Sequence, residues 1–293
     1  MNKVVKRLLV FFIGLPLVIS IALWPVYNHL PLHILLIAAS VIGASELYNI
    51  FKEHTPLLPR PLVLFCAGLL PFVAAVYEVL PAFVSVRFPF GNEIITTFFI
   101  FTVLLLLLVE VVKSQTFEKS NSRIAGSSFI VLYCGYLITF ISRMTVVPDG
   151  EKNVSGAIIA VFLLMVFLCD SLAWFFGVLL GKNNRGLIKA SPNKSIAGFI
   201  GGFIGSVAAG ILGHFIWPNI FHGSIAKIVS IGICVALASI AGDLAESVFK
   251  RSAGVKDSGN IIPGRGGILD SMDSILMAAP VYYLLIELFY KVV

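Results

Sequence analysis

Nine stretches of this chain are long and apolar enough to cross a bilayer, at about residues 8–24, 31–50, 61–80, 94–112, 125–142, 155–180, 196–217, 225–249 and 270–290. A helix crossing a hydrocarbon layer of about 30 Å needs about 20 such residues. Inside lipid, backbone N–H and C=O groups must be satisfied within the segment, so continuous apolar runs of this length fold as helices. The expected fold class is all-α: a polytopic integral membrane protein of about nine transmembrane helices. Composition agrees, with 58% of the 293 residues hydrophobic, 12% charged and a mean hydropathy of +0.99. A soluble domain carries about 25% charged residues. Twenty-four Phe beside so few charges leave too little polar surface for a water-facing fold. The same arithmetic excludes intrinsic disorder and a disulfide scaffold. Cys66, Cys134, Cys169 and Cys234 sit inside apolar stretches, at spacings that match no metal or redox motif, and read as small apolar residues.

The positions of the charges give the threading. Cytoplasmic segments of membrane proteins retain Lys and Arg. With the N-terminus cytoplasmic, sixteen of the 21 Lys and Arg fall on the cytoplasmic side, leaving Arg87, Arg143, Lys152, Lys227 and Lys291 on the other. Lys3, Lys6 and Arg7 ahead of an apolar run resemble a signal peptide, but no small-x-small cleavage site precedes Trp24 and Pro25. An uncleaved first span is expected, turning into the second through Pro25, Asn28, His29 and Pro31. No internal repeat, low-complexity tract or inserted soluble domain interrupts the chain. Residues 1–150 are expected to form an N-terminal scaffold of about five helices. Residues 151–293 are expected to form a catalytic region of about four helices with two cytoplasmic loops, all within one continuous membrane domain.

Those two loops, 181–195 and 250–269, hold the chemistry. The first contains Lys182, Arg185, Lys189 and Lys194 and no acid. The second holds Lys250, Arg251, Lys256 and Arg265 against Asp257. Together they carry +7, so with a net charge of +6 the remainder of the chain is −1. On the helix leading into the second loop, Asp243, Glu246, Ser247 and Lys250 stand at i, i+3, i+4 and i+7 and share one face. Asp270 and Asp273 stand at i, i+3 on the helix leading out. Carboxylates crowded in a low dielectric repel, and a hard divalent cation held through oxygens relieves them, which points to Mg²⁺. The alternative is that Glu246, Asp270 and Asp273 are interfacial charges paired with Lys250, Arg251 and Lys256. Asp243 and Asp170 lie deeper within their spans, where an acid costs about 2.5–3.5 kcal/mol on insertion scales and is expected to face a partner or ion. A buried hydrogen bond to a neighbouring helix is the structural alternative for Asp170.

Five glycines in fourteen residues, Gly254, Gly259, Gly264, Gly266 and Gly267, let backbone amides approach an anion, as in a phosphate cradle. A tight turn would use the same residues. Gly198 with Gly202 and Gly201 with Gly205 form small-xxx-small pairs of the kind that pack helices. Acids for Mg²⁺ and bases for phosphates at lipid-head depth suit phosphoryl or nucleotidyl transfer to a lipid.

The residues from Ser247 to Asp273 resemble the signature of CDP-diacylglycerol synthases, also called phosphatidate cytidylyltransferases. They present Ser247, Lys250-Arg251, Lys256-Asp257, Gly259, Pro263-Gly264-Arg265-Gly266-Gly267 and the pair Asp270 and Asp273. Upstream, Gly242-Asp243-Leu244 with Glu246-Ser247, Ser191-Pro192-Asn193-Lys194 with Gly198, and Asp170 with Ala173 and Gly177 are similar to further motifs of the family. Two positions depart: Arg265 stands where the family has His, and Ser271 where it has Arg. The resemblance covers about residues 165–275.

The resemblance implies attack of a phosphatidate oxygen on the α-phosphorus of CTP, with pyrophosphate leaving. It implies Mg²⁺ held by Asp243, Asp270 and Asp273, with Asp170 and Glu246 as further metal ligands and a second cation such as K⁺ nearby. Lys250 and Arg251 would join the acids in catalysis. Ser191, Lys194, Ser247, Lys256, Asp257, Arg265, Gly266 and Gly267 would bind substrate. The implied partners are CTP, phosphatidate and the bilayer, with no nucleic acid and a homodimer allowed. The implied location is a bacterial cytoplasmic (inner) membrane. A CTP-dependent polyprenol or phytol kinase, and an ion-coupled transporter, remain the alternative readings.

Overall fold

The computed structural model describes residues 14–84, 93–145, 154–262, 264 and 266–291, the side chain of Leu15 excepted. Among the described residues the chain is all-α: ten α-helices and two isolated antiparallel bridges, Arg185 with Ser195 and Ile262 with Gly266. The helices are α1 (Leu15–Leu23), α2 (Leu30–Phe51), α3 (Arg60–Val79), α4 (Glu93–Lys113), α5 (Ser120–Ile130), α6 (Thr139–Arg143), α7 (Ser155–Leu179), α8 (Ile196–Ile216), α9 (Ile225–Ser252) and α10 (Leu269–Tyr290). A six-residue π-helical turn, Val131–Tyr136, links α5 towards α6, and Ser120–Arg143 counts as one span. Eight helical stretches among the described residues are long and apolar enough to cross a membrane. Of the ninth expected stretch, 8–24, residues 14–24 are described, and α1 is its helical part there. The predicted turn after it is present: Tyr27, Asn28 and His29 adopt φ values of 49°, 51° and 60°. Pro31 then falls in the first turn of α2, where its missing N–H costs nothing. Lys3, Lys6, Arg7, Arg87, Lys152, Pro263 and Arg265 lie outside the described residues.

The chain forms two compact units. The first comprises Met1–Arg143 and Phe249–Ser271. Its interior contains a proline, Pro71, in α3. Proline has no N–H to donate to the carbonyl four residues back, here Ala67, and an open carbonyl is costly in lipid. Two neighbours cover it. Ser40 Oγ of α2 donates to Ala67 O at 3.1 Å, and Gly135 of the π-helical turn lies against the same carbonyl, where a Cβ would stand only 2.8 Å from the oxygen. The end of α9 is seated in this unit by Phe249, whose ring meets Phe51, Phe129 and Tyr133 edge-on at centroid distances of 5.4–5.6 Å.

The second unit comprises Met144–Val248 and Met272–Val293. Here α7 and α8 pack along a stripe of glycines. Gly201 lies against Leu172, Gly202 against Cys169, Gly205 against Leu168, Gly210 against Met165 and Gly213 against Val161. One index falls as the other rises, so the helices are antiparallel, and the missing side chains let the backbones touch. The small-xxx-small pairs therefore serve helix packing, as their spacing predicts. Gly232 brings α9 against Ser206 and Val207 of α8. The fully buried Tyr282 of α10 donates its hydroxyl to Ile158 O of α7 at 2.9 Å. These contacts fix the three helices, α7, α9 and α10, that carry Asp170, Asp243, Glu246 and Asp273.

Candidate active site

Within the second unit, four carboxylates gather. Asp273 of α10 is 7% exposed and faces the charges of Asp243 and Glu246 on α9 and Asp170 on α7. Gly242 allows this approach, because a Cβ there would strike the Asp273 carbonyl. Glu246 is 1% exposed, so the helix face read from the i, i+3 spacing does point inward. Asp273 Oδ1 accepts from Ser274 N at 2.7 Å, and Ser274 Oγ stands 3.5 Å from Asp170 Oδ1. The loop 181–195 delivers a cation to the same place. Ser195 caps α8, its Oγ accepting from Gly198 N at 3.0 Å, and the residue before it, Lys194, pairs with Asp243 Oδ2. Ser191 closes a turn by accepting Lys194 N at 3.1 Å, which gives it a role in presenting Lys194. Ser247, half-buried, lies one residue beyond Glu246 on α9.

Among the described residues no three His, Cys, Asp or Glu side chains stand as a ready-made metal site. The donor chemistry is nonetheless that of a hard cation: oxygen ligands only, several of them anionic, from three helices. Asp243 is paired with Lys194. The ion pair and a bound divalent cation are alternative ways of compensating one excess of negative charge.

The first unit contains a different cluster, in and around the glycine-rich loop. Asp270, in the first turn of α10, is filled by protein donors. Its Oδ1 accepts from Lys250 Nζ at 2.5 Å, and its Oδ2 from Ser258 N, Ser258 Oγ and Gly267 N at 2.8, 2.9 and 2.8 Å. Beside it, the buried Glu46 of α2 accepts from Ile268 N at 3.1 Å and Leu269 N at 2.8 Å, and its Oε2 lies 3.0 Å from Ser258 Oγ, whose single hydroxyl hydrogen it shares with Asp270. Glu46 thereby caps the N-terminus of α10, where orphan N–H groups and the helix dipole favour an anion. Ile262 and Gly266 pair across the tip of the loop, with Gly266 at φ 115°. Arg251, Lys256 and Asp257 are exposed, and Arg251 Nη1 donates to Val255 O at 3.3 Å.

One expectation changes and another narrows. Asp270 and Asp273 read as one acid pair, yet Asp270 is engaged by Lys250 and the loop while Asp273 faces other carboxylates. The glycine-rich loop reads as a phosphate cradle or a tight turn, and the amides of Ser258, Gly267, Ile268 and Leu269 point at the carboxylates of Asp270 and Glu46. Glu46 and Ser258 went unpredicted. The available signal was an acid inside the second apolar span, a position that carries a functional presumption.

Residues 5–289 match the model of the cytidylyltransferase family. Over 182 residues, 62% of this chain and 65% of the relative, the sequence is 43% identical to a phosphatidate cytidylyltransferase of Staphylococcus haemolyticus. Over 125 residues, 42% of this chain and 45% of the relative, it is 41% identical to one of Helicobacter pylori. The match to one of Thermotoga maritima is 28% identical over 225 residues, 76% of this chain and 79% of that protein. The matched stretch thus spans less than two thirds of the length of the first two. The family match covers both clusters and every span from α2 onward, and on that ground the chain belongs to the cytidylyltransferase family.

Proposed function

We propose that this protein transfers CMP from CTP to phosphatidate, yielding CDP-diacylglycerol and pyrophosphate, in a bacterial cytoplasmic membrane. The observation that carries the reading is the four-carboxylate cluster with Lys194, on membrane-crossing helices of a chain whose relatives bear the name phosphatidate cytidylyltransferase. In the reaction a phosphate oxygen of phosphatidate attacks the α-phosphorus of CTP. A P–O bond forms as the bond from the α-phosphorus to the bridging oxygen breaks, and the electron pair leaves on pyrophosphate. Phosphatidate needs no dedicated base, because its phosphate is largely ionised near neutral pH.

Asp243 and Asp273, with Asp170 and Glu246 beside them, are the residues that would hold Mg²⁺. When bound, the ion would neutralise triphosphate and leaving-group charge. The chain's own cations do the remainder. Lys194 and Lys250 now sit on Asp243 and Asp270. A phosphate arriving at either ammonium group competes with its carboxylate, and a lysine that turns to phosphate releases that carboxylate. Arg251, Lys256 and Arg265 add positive charge to the same loop, and preorganised charge of this kind is the largest single contribution to such a transition state. Binding of K⁺ as a second cation, and assembly as a homodimer, are part of the proposal at a coarser level. The second cation follows from the family resemblance, which leaves a homodimer allowed.

The test is incubation of purified protein with phosphatidate, Mg²⁺ and each nucleoside triphosphate in turn. CDP-lipid and pyrophosphate from CTP are expected. CDP and a lipid phosphate from a lipid alcohol would instead establish a kinase, and no lipid-linked product with any nucleotide would overturn transfer altogether.

A further inference from the structure

We propose that Glu46 is a positioning residue for the transfer reaction: its carboxylate clamps the glycine-rich loop at Ser258, Ile268 and Leu269 and, through Ser258 and Asp270, sets the Lys250 ammonium. This rests on the function proposed above. Glu46 lies in α2, more than two hundred residues from its partners, and is 5% exposed. Both of its oxygens are used, Oε1 by Ile268 N and Oε2 by Ser258 Oγ and Leu269 N. Ser258 is shared, its hydroxyl meeting Glu46 Oε2 at 3.0 Å and Asp270 Oδ2 at 2.9 Å. Asp270 in turn fixes the Lys250 ammonium. A chain of contacts therefore runs from Glu46 through Ser258 and Asp270 to Lys250, one of the cations assigned to phosphate.

The clamp also accounts for loop composition. Gly259 and Gly267 lie against the Glu46 carboxylate, and a Cβ would overlap Oε1 at the first position and Oε2 at the second. Gly259 has no positive φ, so the carboxylate rather than backbone conformation excludes a side chain there. Two glycines that resemble a phosphate cradle thus make room for a carboxylate supplied by the protein.

Three measurements on full-length protein in detergent micelles test this. In Glu46→Gln, which keeps shape and places an amide NH₂ against converging donors, amide hydrogen exchange across 267–269 should accelerate about tenfold or more. The KM for CTP or phosphatidate, whichever the loop holds, should rise about tenfold. A purely structural role would shrink the active fraction, lowering kcat with both KM values unchanged, and that result would overturn positioning. Gly259→Ala should cost activity heavily in the wild type and little in a Glu46→Ala background, while additive losses would overturn the clamp. Glu46→Asp, which keeps the charge, should recover part of the exchange protection. If wild-type protein makes no CDP-lipid, the proposed reaction fails, and the exchange measurement still decides whether Glu46 holds the loop.

Discussion

Lys194 is paired with Asp243, a cation from the loop 181–195 on an acid of α9. Their side chains are 23% and 37% exposed, and an ion pair so open to solvent contributes at most about 1 kcal/mol to stability. In the function proposed, its value lies in being exchangeable. Lys194→Met and Asp243→Asn should each change thermal unfolding in detergent very little while lowering CTP-dependent transfer by about 100-fold or more, as expected when transition-state charge stabilisation is removed. Near-normal turnover in either variant would remove these residues from the site.

The carboxylates facing Asp273 predict a linkage between metal and stability. Like charges around a buried acid oppose folding until something compensates them. Asp273→Asn should therefore be at least as stable as the wild type in metal-free buffer, and should be inactive. Added Mg²⁺ should raise the unfolding temperature of the wild type, since a ligand at 100 times its Kd contributes about 2.7 kcal/mol to the native state. The variant should show no such rise. Calorimetry or scattering-based melting with and without Mg²⁺ measures this apart from activity, and equal shifts in both proteins would place the ion elsewhere.

These carboxylates were legible in the sequence for a physical reason. An acid within an apolar span is expensive, so Asp170 and Asp243 announce a partner wherever the helix packs, and the spacing of Glu246 after Asp243 turns both towards one side. The spans were legible because lipid imposes a length and a composition. What could not be read was pairing across long separations. Nothing near Glu46 indicates that its acceptors will be filled by Ser258, Ile268 and Leu269, since an interior carboxylate is matched to donors by tertiary position. For the same reason Asp270 looked like the twin of Asp273. Spacing of i, i+3 places two residues on one helix face, but the donors that fill one carboxylate and not the other come from the loop and from Lys250.

The glycine stripe makes a steric prediction. Gly205 lies against the Leu168 carbonyl so closely that any Cβ must push α7 and α8 apart. Gly205→Ala should lower stability in detergent by about 1–3 kcal/mol, the usual range for overpacking. Gly205→Leu should prevent accumulation of folded protein in the membrane. By contrast, Ile204→Leu, at an exposed position one residue away, should be neutral in the same melting assay.

Ser40 and Pro71 make a reciprocal pair that a double substitution can expose. Pro71 cannot donate to Ala67 O, and the Ser40 hydroxyl does so instead from the neighbouring helix at 3.1 Å. Ser40→Ala leaves that buried carbonyl without its donor and should cost about 1–3 kcal/mol. Pro71→Ala restores an N–H within α3, so in that background the loss of the Ser40 hydroxyl should be nearly harmless. The interaction energy from the four proteins should thus be about 1 kcal/mol or more, measured by thermal or denaturant unfolding in detergent. Both residues are remote in role from the acid cluster, so transfer activity per folded molecule should be unchanged throughout. Strict additivity would mean that the serine stabilises α2 for some reason other than the carbonyl that the proline leaves open.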